Sequence, residues 1–276
     1  MDANVVALNR GYDQNFQARE QRLISTLAGY GELLVSFSGR LESCYSMDLC
    51  RASGVRFRAI TLDNPTLSRK AVARAKRYCQ HYGIAHQVIK TDEMIFSVHL
   101  GHLAEVMDPV RYLCQQLEHG DGPPLLMSAS VEEMQEYLRR FDSVPANTLW
   151  LFGEQGMTNR DFRYGFHKRQ LALWGAGGEA CLSQRFSDIE SLDRRHLRMV
   201  DMAEQMLFDM GLDGAQVFFH TLADRVTTLA RIRVPQRMRA LVFDMQPNIQ
   251  KALQSAQFDL VTLDLVSGED PQLLVI

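Results

Sequence analysis

Apolar positions recur along the chain with two periods, and their alternation predicts the fold. From Asn15 to Leu27 they fall at helical spacing, and the run stops at Gly29 and Gly31. Leu33 to Phe37 is a short apolar run of strand character, Ser38 to Ser43 is polar, and a helical pattern runs from Cys44 to about Ala52, closed by Gly54. The unit then repeats: Phe57 to Leu62 predicts a strand, Ser68 to Tyr82 an amphipathic helix ended by Gly83, and His86 to Ile89 a third strand. Strands alternating with helices imply α/β architecture with a parallel sheet and right-handed crossovers.

Beyond residue 90 the pattern changes. Thr91 to Asn147 reads as mostly helical, interrupted by a Gly-Asp-Gly-Pro-Pro break at 120–124 that suits a surface loop or lid, and Thr148 to Phe152 predicts a further strand. Gly153 to Asp193 lacks periodicity and reads as irregular. A long helix is expected from Arg194 to Met210, then strands at Gln216 to His220, Thr227 to Val234 and Leu260 to Leu265, with a helix from Asn248 to Ser255. The expected division is therefore a larger α/β domain over 1–190 and a smaller C-terminal α+β domain over 191–276.

Composition narrows the classes. Hydrophobic residues are 46% and charged residues 23% of the 276, which suits folding throughout, and the net charge of −3 gives no basic field to make nucleic acid the main partner. The first residues lack a basic start followed by an apolar run, and no stretch reaches the ~20 apolar residues of a membrane span. A cytoplasmic protein without a membrane partner is expected. The five cysteines, at 44, 50, 79, 114 and 181, include no C-x-x-C pair, which opposes a disulfide framework or a four-thiolate zinc site. Cys44, Cys50 and Cys79 lie in helical patterns and suit packing.

Three groups carry candidate chemistry. Ser38 to Ser43 leaves a strand and enters a helix, where unpaired amides and the helix dipole make an anion site; Gly39 would admit a phosphate closely, Ser38 and Ser43 add hydroxyls, and Arg40 adds charge. The alternative is a tight turn with solvated polar residues. Cys181 sits in the irregular stretch with Arg185 four residues on, so it is either an activated thiol or an unreactive loop cysteine. His99 and His102, followed by Glu105 and Asp108, could share a helix face but lack a third metal ligand of fixed position. Arg231, Arg233, Arg237 and Arg239 form a basic patch that reads as a solvated face, although an acidic partner or phosphate would also suit it.

The string Leu34-Val35-Ser36-Phe37-Ser38-Gly39-Arg40-Leu41-Glu42-Ser43 resembles the S-G-G-x-D-S signature of the PP-loop ATP pyrophosphatases. Ala59 to Arg69, Tyr82 to Glu93, Asp161-Phe162-Arg163-Tyr164-Gly165 and Cys181-Leu182-Ser183-Gln184-Arg185 are similar to the LarE-type ATP-dependent sulfur transferases, and the likeness covers most of the chain. The resemblance implies a PP-loop, Rossmann-like nucleotide domain that binds ATP with Mg2+ through Ser38, Gly39, Arg40, Glu42, Ser43 and Thr61. It further implies a small-molecule carboxylate substrate, a homo-oligomer, and a sacrificial Cys181 assisted by Arg185. Among the chain's departures from the pattern are five substitutions. Arg40 replaces the second loop glycine and Glu42 the aspartate, while Gln216 and Phe218 stand where the family carries two strand arginines and Arg233 where it carries a glutamate. A catalytically inactive nucleotide-binding or scaffolding protein of the same descent is the alternative.

Overall fold

The structure is a computed structural model that describes residues 3–95, 107–117, 122–174, 181–187 and 190–266. In chain order the first elements are α1 (Ala3–Ala28), β1 (Glu32–Ser36), α2 (Leu41–Ser53), β2 (Arg56–Asp63), α3 (Arg69–Tyr82) and β3 (His86–Lys90). They continue as α4 (Pro109–Gln116), β4 (Leu125–Leu126), α5 (Val131–Phe141), β5 (Thr148–Leu149), α6 (Leu151–Glu154) and α7 (Asn159–Lys168). After a 3-10 turn at Leu182–Arg185 come α8 (Arg194–Asp209), β6 (Gln216–Thr221), β7 (Thr228–Arg233), α9 (Arg239–Asp244), α10 (Gln246–Ser255) and β8 (Leu260–Leu263).

The chain divides into two compact units built from interleaved segments rather than by one cut after residue 190. Unit 1 holds 1–61, 75–89 and 110–174; unit 2 holds 62–74, 90–109 and 175–276. Unit 1 carries most of an all-parallel five-stranded sheet in the order β3-β2-β1-β4-β5, as the strand–helix alternation predicts. Its strands β1 and β4 have near-continuous apolar faces, as a sheet covered by helices on both sides requires: Leu33, Val35, Leu125 and Leu126 are fully buried. The core gathers them with Phe16, Tyr45, Phe162 and Phe166 from the surrounding helices.

Packing there leaves no slack. A Cβ on Gly165 would lie 2.5 Å from the Tyr45 ring and 2.8 Å from Phe16. Asp161 is 1% exposed and accepts from Tyr12 Oη at 2.6 Å, from Arg19 Nη2 at 2.7 Å and from both donors of Thr158. The Asp-Phe-Arg-Tyr-Gly segment is thus a structural knot, in which burial and the carboxylate push the Tyr12 phenol well above its ordinary value.

Unit 2 is a three-stranded sheet, β6-β7-β8, in which β6 and β7 are antiparallel and β7 and β8 parallel. Val217, Phe219, Ala230 and Ile232 alternate along the strands toward a core shared with Leu197, Val200 and Leu207 of α8. The opposite face carries Gln216, Phe218 and His220 on β6 and Arg231 and Arg233 on β7, all partly exposed.

Three expectations need correction. Leu125–Leu126, inside the stretch read as helical, is a strand, and one paired on both sides: β1 on one, β5 on the other. Of the break before it, residues 122–124 are described: Gly122 is exposed, and the Pro124 carbonyl accepts from Leu34 N at 3.0 Å and joins the sheet. The strand expected at 148–152 ends at Leu149, and within the stretch read as irregular a capping box of Thr158 and Asp161 starts a ten-residue helix.

Candidate functional site

The strand order places a topological switch point between β1 and β4. The chain runs outward from β1 through β2 to β3, then returns to the other side of β1, so connections at the carboxyl ends of β1 and β4 diverge, the place where open α/β sheets bind ligands. The predicted phosphate loop lies at that point. Ser36 ends β1, and Phe37 is held on both sides, its N–H donating to the Ile60 carbonyl at 2.7 Å and its carbonyl accepting the Thr61 hydroxyl at 2.5 Å.

Past this clamp the backbone turns sharply. Gly39 takes φ 75°, the left-handed region that favours glycine. Arg40 follows in an extended conformation (φ −82°, ψ 167°) at the N-cap of α2, and its side chain caps nothing. The first-turn amides of Leu41, Glu42 and Ser43 therefore lack both an intrahelical acceptor and a side-chain cap. Ser38 Oγ lies 3.3 Å from Ser43 Oγ, which itself donates to the Arg40 carbonyl at 2.9 Å. Arg40 Nη2 stands 3.6 Å from Glu42 Oε2, with 29% and 20% of the two side chains exposed. At 3.6 Å so loose a pair contributes about 0–1 kcal/mol. Glu42 and Ser43, expected in the loop, are already in the helix.

Thr61 has a different place from that of a ligand contact. It is fully buried, its proton goes to the Phe37 carbonyl, and its lone pair faces His86 Nε2 at 2.8 Å. With the hydroxyl so committed, His86 must donate from Nε2, and burial with Lys76 nearby lowers its pKa. The trio fixes the loop's entry. Sequence reasoning missed Ser128, whose Oγ reaches the Ser36 carbonyl at 3.4 Å from the end of β4. Only recognition of so short a strand could have pointed to it.

Cys181 belongs to unit 2. It heads the 3-10 turn, which is tied down by Leu182 N donating to the Thr66 carbonyl at 2.9 Å and by Phe186 stacked on Phe219 at 5.2 Å. The thiol is part-exposed; Sγ lies 2.9 Å from Ser183 Oγ and 3.5 Å from the Thr66 carbonyl. Ser183 is fully buried and is the hydroxyl placed to serve a thiolate. By contrast, burial raises the Cys50 and Cys79 thiols to about 12, which leaves them inert, as their helical patterns suggest.

Arg185 points elsewhere. It is 3% exposed and gives Nε to Glu204 Oε1 at 2.7 Å, while Glu204, 2% exposed, also accepts Val217 N at 3.0 Å. The guanidinium predicted to assist Cys181 is thus neutralised by a carboxylate of α8. Nearby on α8, Asp201 accepts Arg69 N at 3.1 Å, and burial raises its carboxyl to about 6.

Among the described residues no group of three or more His, Cys, Asp or Glu could hold a metal ion, and Glu42 is the carboxylate of the loop. His99, His102 and Glu105 lie outside the described residues. Among the described residues no helix is long and apolar enough to cross a membrane.

No family model matches the chain. It is similar to an uncharacterized protein, slr1717, of Synechocystis sp. (strain ATCC 27184 / PCC 6803 / Kazusa), 25% identical over 271 residues that cover 89% of this chain and 94% of that protein.

Proposed function

We propose that the chain binds ATP at the Gly39 loop and uses it to activate a carboxylate for sulfur transfer from Cys181. The observation that carries the nucleotide reading is the uncapped start of α2 at the switch point, where Leu41, Glu42 and Ser43 amides and two serine hydroxyls surround a left-handed glycine. Backbone donors of this kind suit a diphosphate, and Arg40 would exchange Glu42 for a phosphate oxygen.

In the reaction, a carboxylate oxygen of the substrate attacks the α-phosphorus and pyrophosphate leaves. The Cys181 thiolate, with the Ser183 hydroxyl as its hydrogen-bond partner, attacks the acyl carbon and AMP leaves, giving a thioester. Loss of the Cys181 Cα proton to solvent base and cleavage of its Cβ–S bond then release a thiocarboxylate and leave dehydroalanine. Electrons balance without an added reductant. Incubation with ATP, Mg2+ and a panel of carboxylic acids should release pyrophosphate and lower the intact mass by the elements of hydrogen sulfide at Cys181. Turnover with an intact thiol contradicts the transfer step.

One observation favours a second reading. Arg185 is spent on Glu204, so the thiol lacks the cation expected to activate it, which suits a protein that binds nucleotide without chemistry. Saturable ATP binding without pyrophosphate release would select that reading.

A further inference from the structure

The basic patch read from sequence as a solvated face is, in unit 2, an organised cluster on one side of the three-stranded sheet. Phe218 and Arg231 stand directly opposite each other on β6 and β7, and Gln216 faces Arg233. The guanidinium carbons of Arg231 and Arg233 both lie 4.6 Å from the centroid of the Phe218 ring. Arg185 lies over the same ring at 5.6 Å but is paired with Glu204, so the ring braces two further like charges, Arg231 and Arg233, each side chain 29% exposed.

Their neutralisation is incomplete. One carboxylate, Asp264, serves both: Oδ2 accepts from Arg231 Nη1 and, at 3.0 Å, from Arg233 Nη2, while Oδ1 is taken by Val266 N. Arg239 adds a third guanidinium that bonds the Asp264 and Leu265 carbonyls, so among the described residues three cations of this cluster face one anion. His220 contributes no charge, because Arg231 Nε donates to its Nε2 at 3.1 Å, and burial beside Arg231 lowers its pKa. Arg231 Nη2 and Arg233 Nη1 donate to no protein acceptor among the described residues. A guanidinium offers five N–H donors in a fixed plane, and the ring holds both planes in place.

We infer that Arg231 and Arg233, braced by Phe218, form a binding site for a dianionic oxyanion, specifically the phosphate group of a phosphomonoester. The surplus of two positive charges matches a dianion, and the unassigned donors of the two arginines suit separate oxygens of one tetrahedral group. The assignment is drawn from unit 2 alone and does not rest on nucleotide binding at the Gly39 loop.

The test titrates the full chain at low salt with inorganic phosphate, phenyl phosphate and malonate, following binding by calorimetry and ligand-observed NMR, with ATP titrated in parallel. Both phosphate probes are expected to saturate, and the double variant R231Q/R233Q to weaken them at least tenfold while leaving its urea midpoint and its response to ATP unchanged. Arg233→Lys, which keeps the charge and loses the fork, guards against misfolding of the double variant and is expected to weaken phenyl phosphate several-fold. Absence of saturable phosphate binding, undiminished binding in both variants, or preference for malonate overturns the assignment. An absence of ATP binding bears on the Gly39 loop alone.

Discussion

Arg40 and Arg185, both expected at the site, sit in regions with opposite physics. Arg40 stands at the mouth of the α2 loop, part-exposed, with its carboxylate partner 3.6 Å away on the next turn of chain. Arg185 is sealed at 3% exposure against Glu204 at 2.7 Å, in a network that also satisfies a backbone amide of β6. The contact of the first cation with Glu42 costs little to break. The second cannot leave without stranding a buried carboxylate, so its placement beside the cysteine in sequence says little about its work.

The contrast can be broken from the Arg185 side first. Glu204→Ala leaves a buried guanidinium unpaired and the Val217 amide unsatisfied, and should destabilise by about 3–5 kcal/mol in urea unfolding. A loss below about 1 kcal/mol would mean that the pair is as replaceable as Arg40–Glu42.

The surroundings of α8 supply the next effect, through pH. Asp201 titrates at about 6 in the folded chain against 3.8 for the free group, because burial disfavours its charge. A raised pKa means that the folded state holds its proton longer. Stability associated with the protonated form is therefore complete below about pH 4 and is lost as pH rises through about 6, by roughly 3 kcal/mol at most. Asp201→Asn should stay flat across that window where the parent declines; parallel profiles would contradict the assignment.

In unit 1, Gly165→Ala drives a methyl into the Tyr45 and Phe16 rings and should cost about 1–3 kcal/mol by thermal unfolding. Smallest of all, Arg40→Ala should change stability by less than about 1 kcal/mol through loss of its loose 3.6 Å pair with Glu42. A larger loss would make Arg40 structural and remove the contrast.

The same two regions show what the sequence could reveal. The β1–α2–β2–α3–β3 run was legible because each element is long enough to display its period and is punctuated by Gly54 and Gly83. β4 was not, since two leucines after two prolines carry no periodicity, and its place beside β1 is fixed by tertiary pairing. α7 hid because its start is set by Thr158 and Asp161 rather than by an apolar stripe alone. At the site, the glycine-bearing loop announced itself through strand–loop–helix order. The service of Thr61 to the Phe37 carbonyl did not, nor did the Arg185–Glu204 pair, whose members lie on separate elements 19 residues apart.

The most direct test is calorimetric titration of ATP with Mg2+ into the parent chain and into Arg40→Gly, which places a second glycine after Gly39. Saturable binding to the parent, altered in Arg40→Gly, is the expected result and would place the diphosphate on the α2 loop. Absence of binding to both proteins would contradict it.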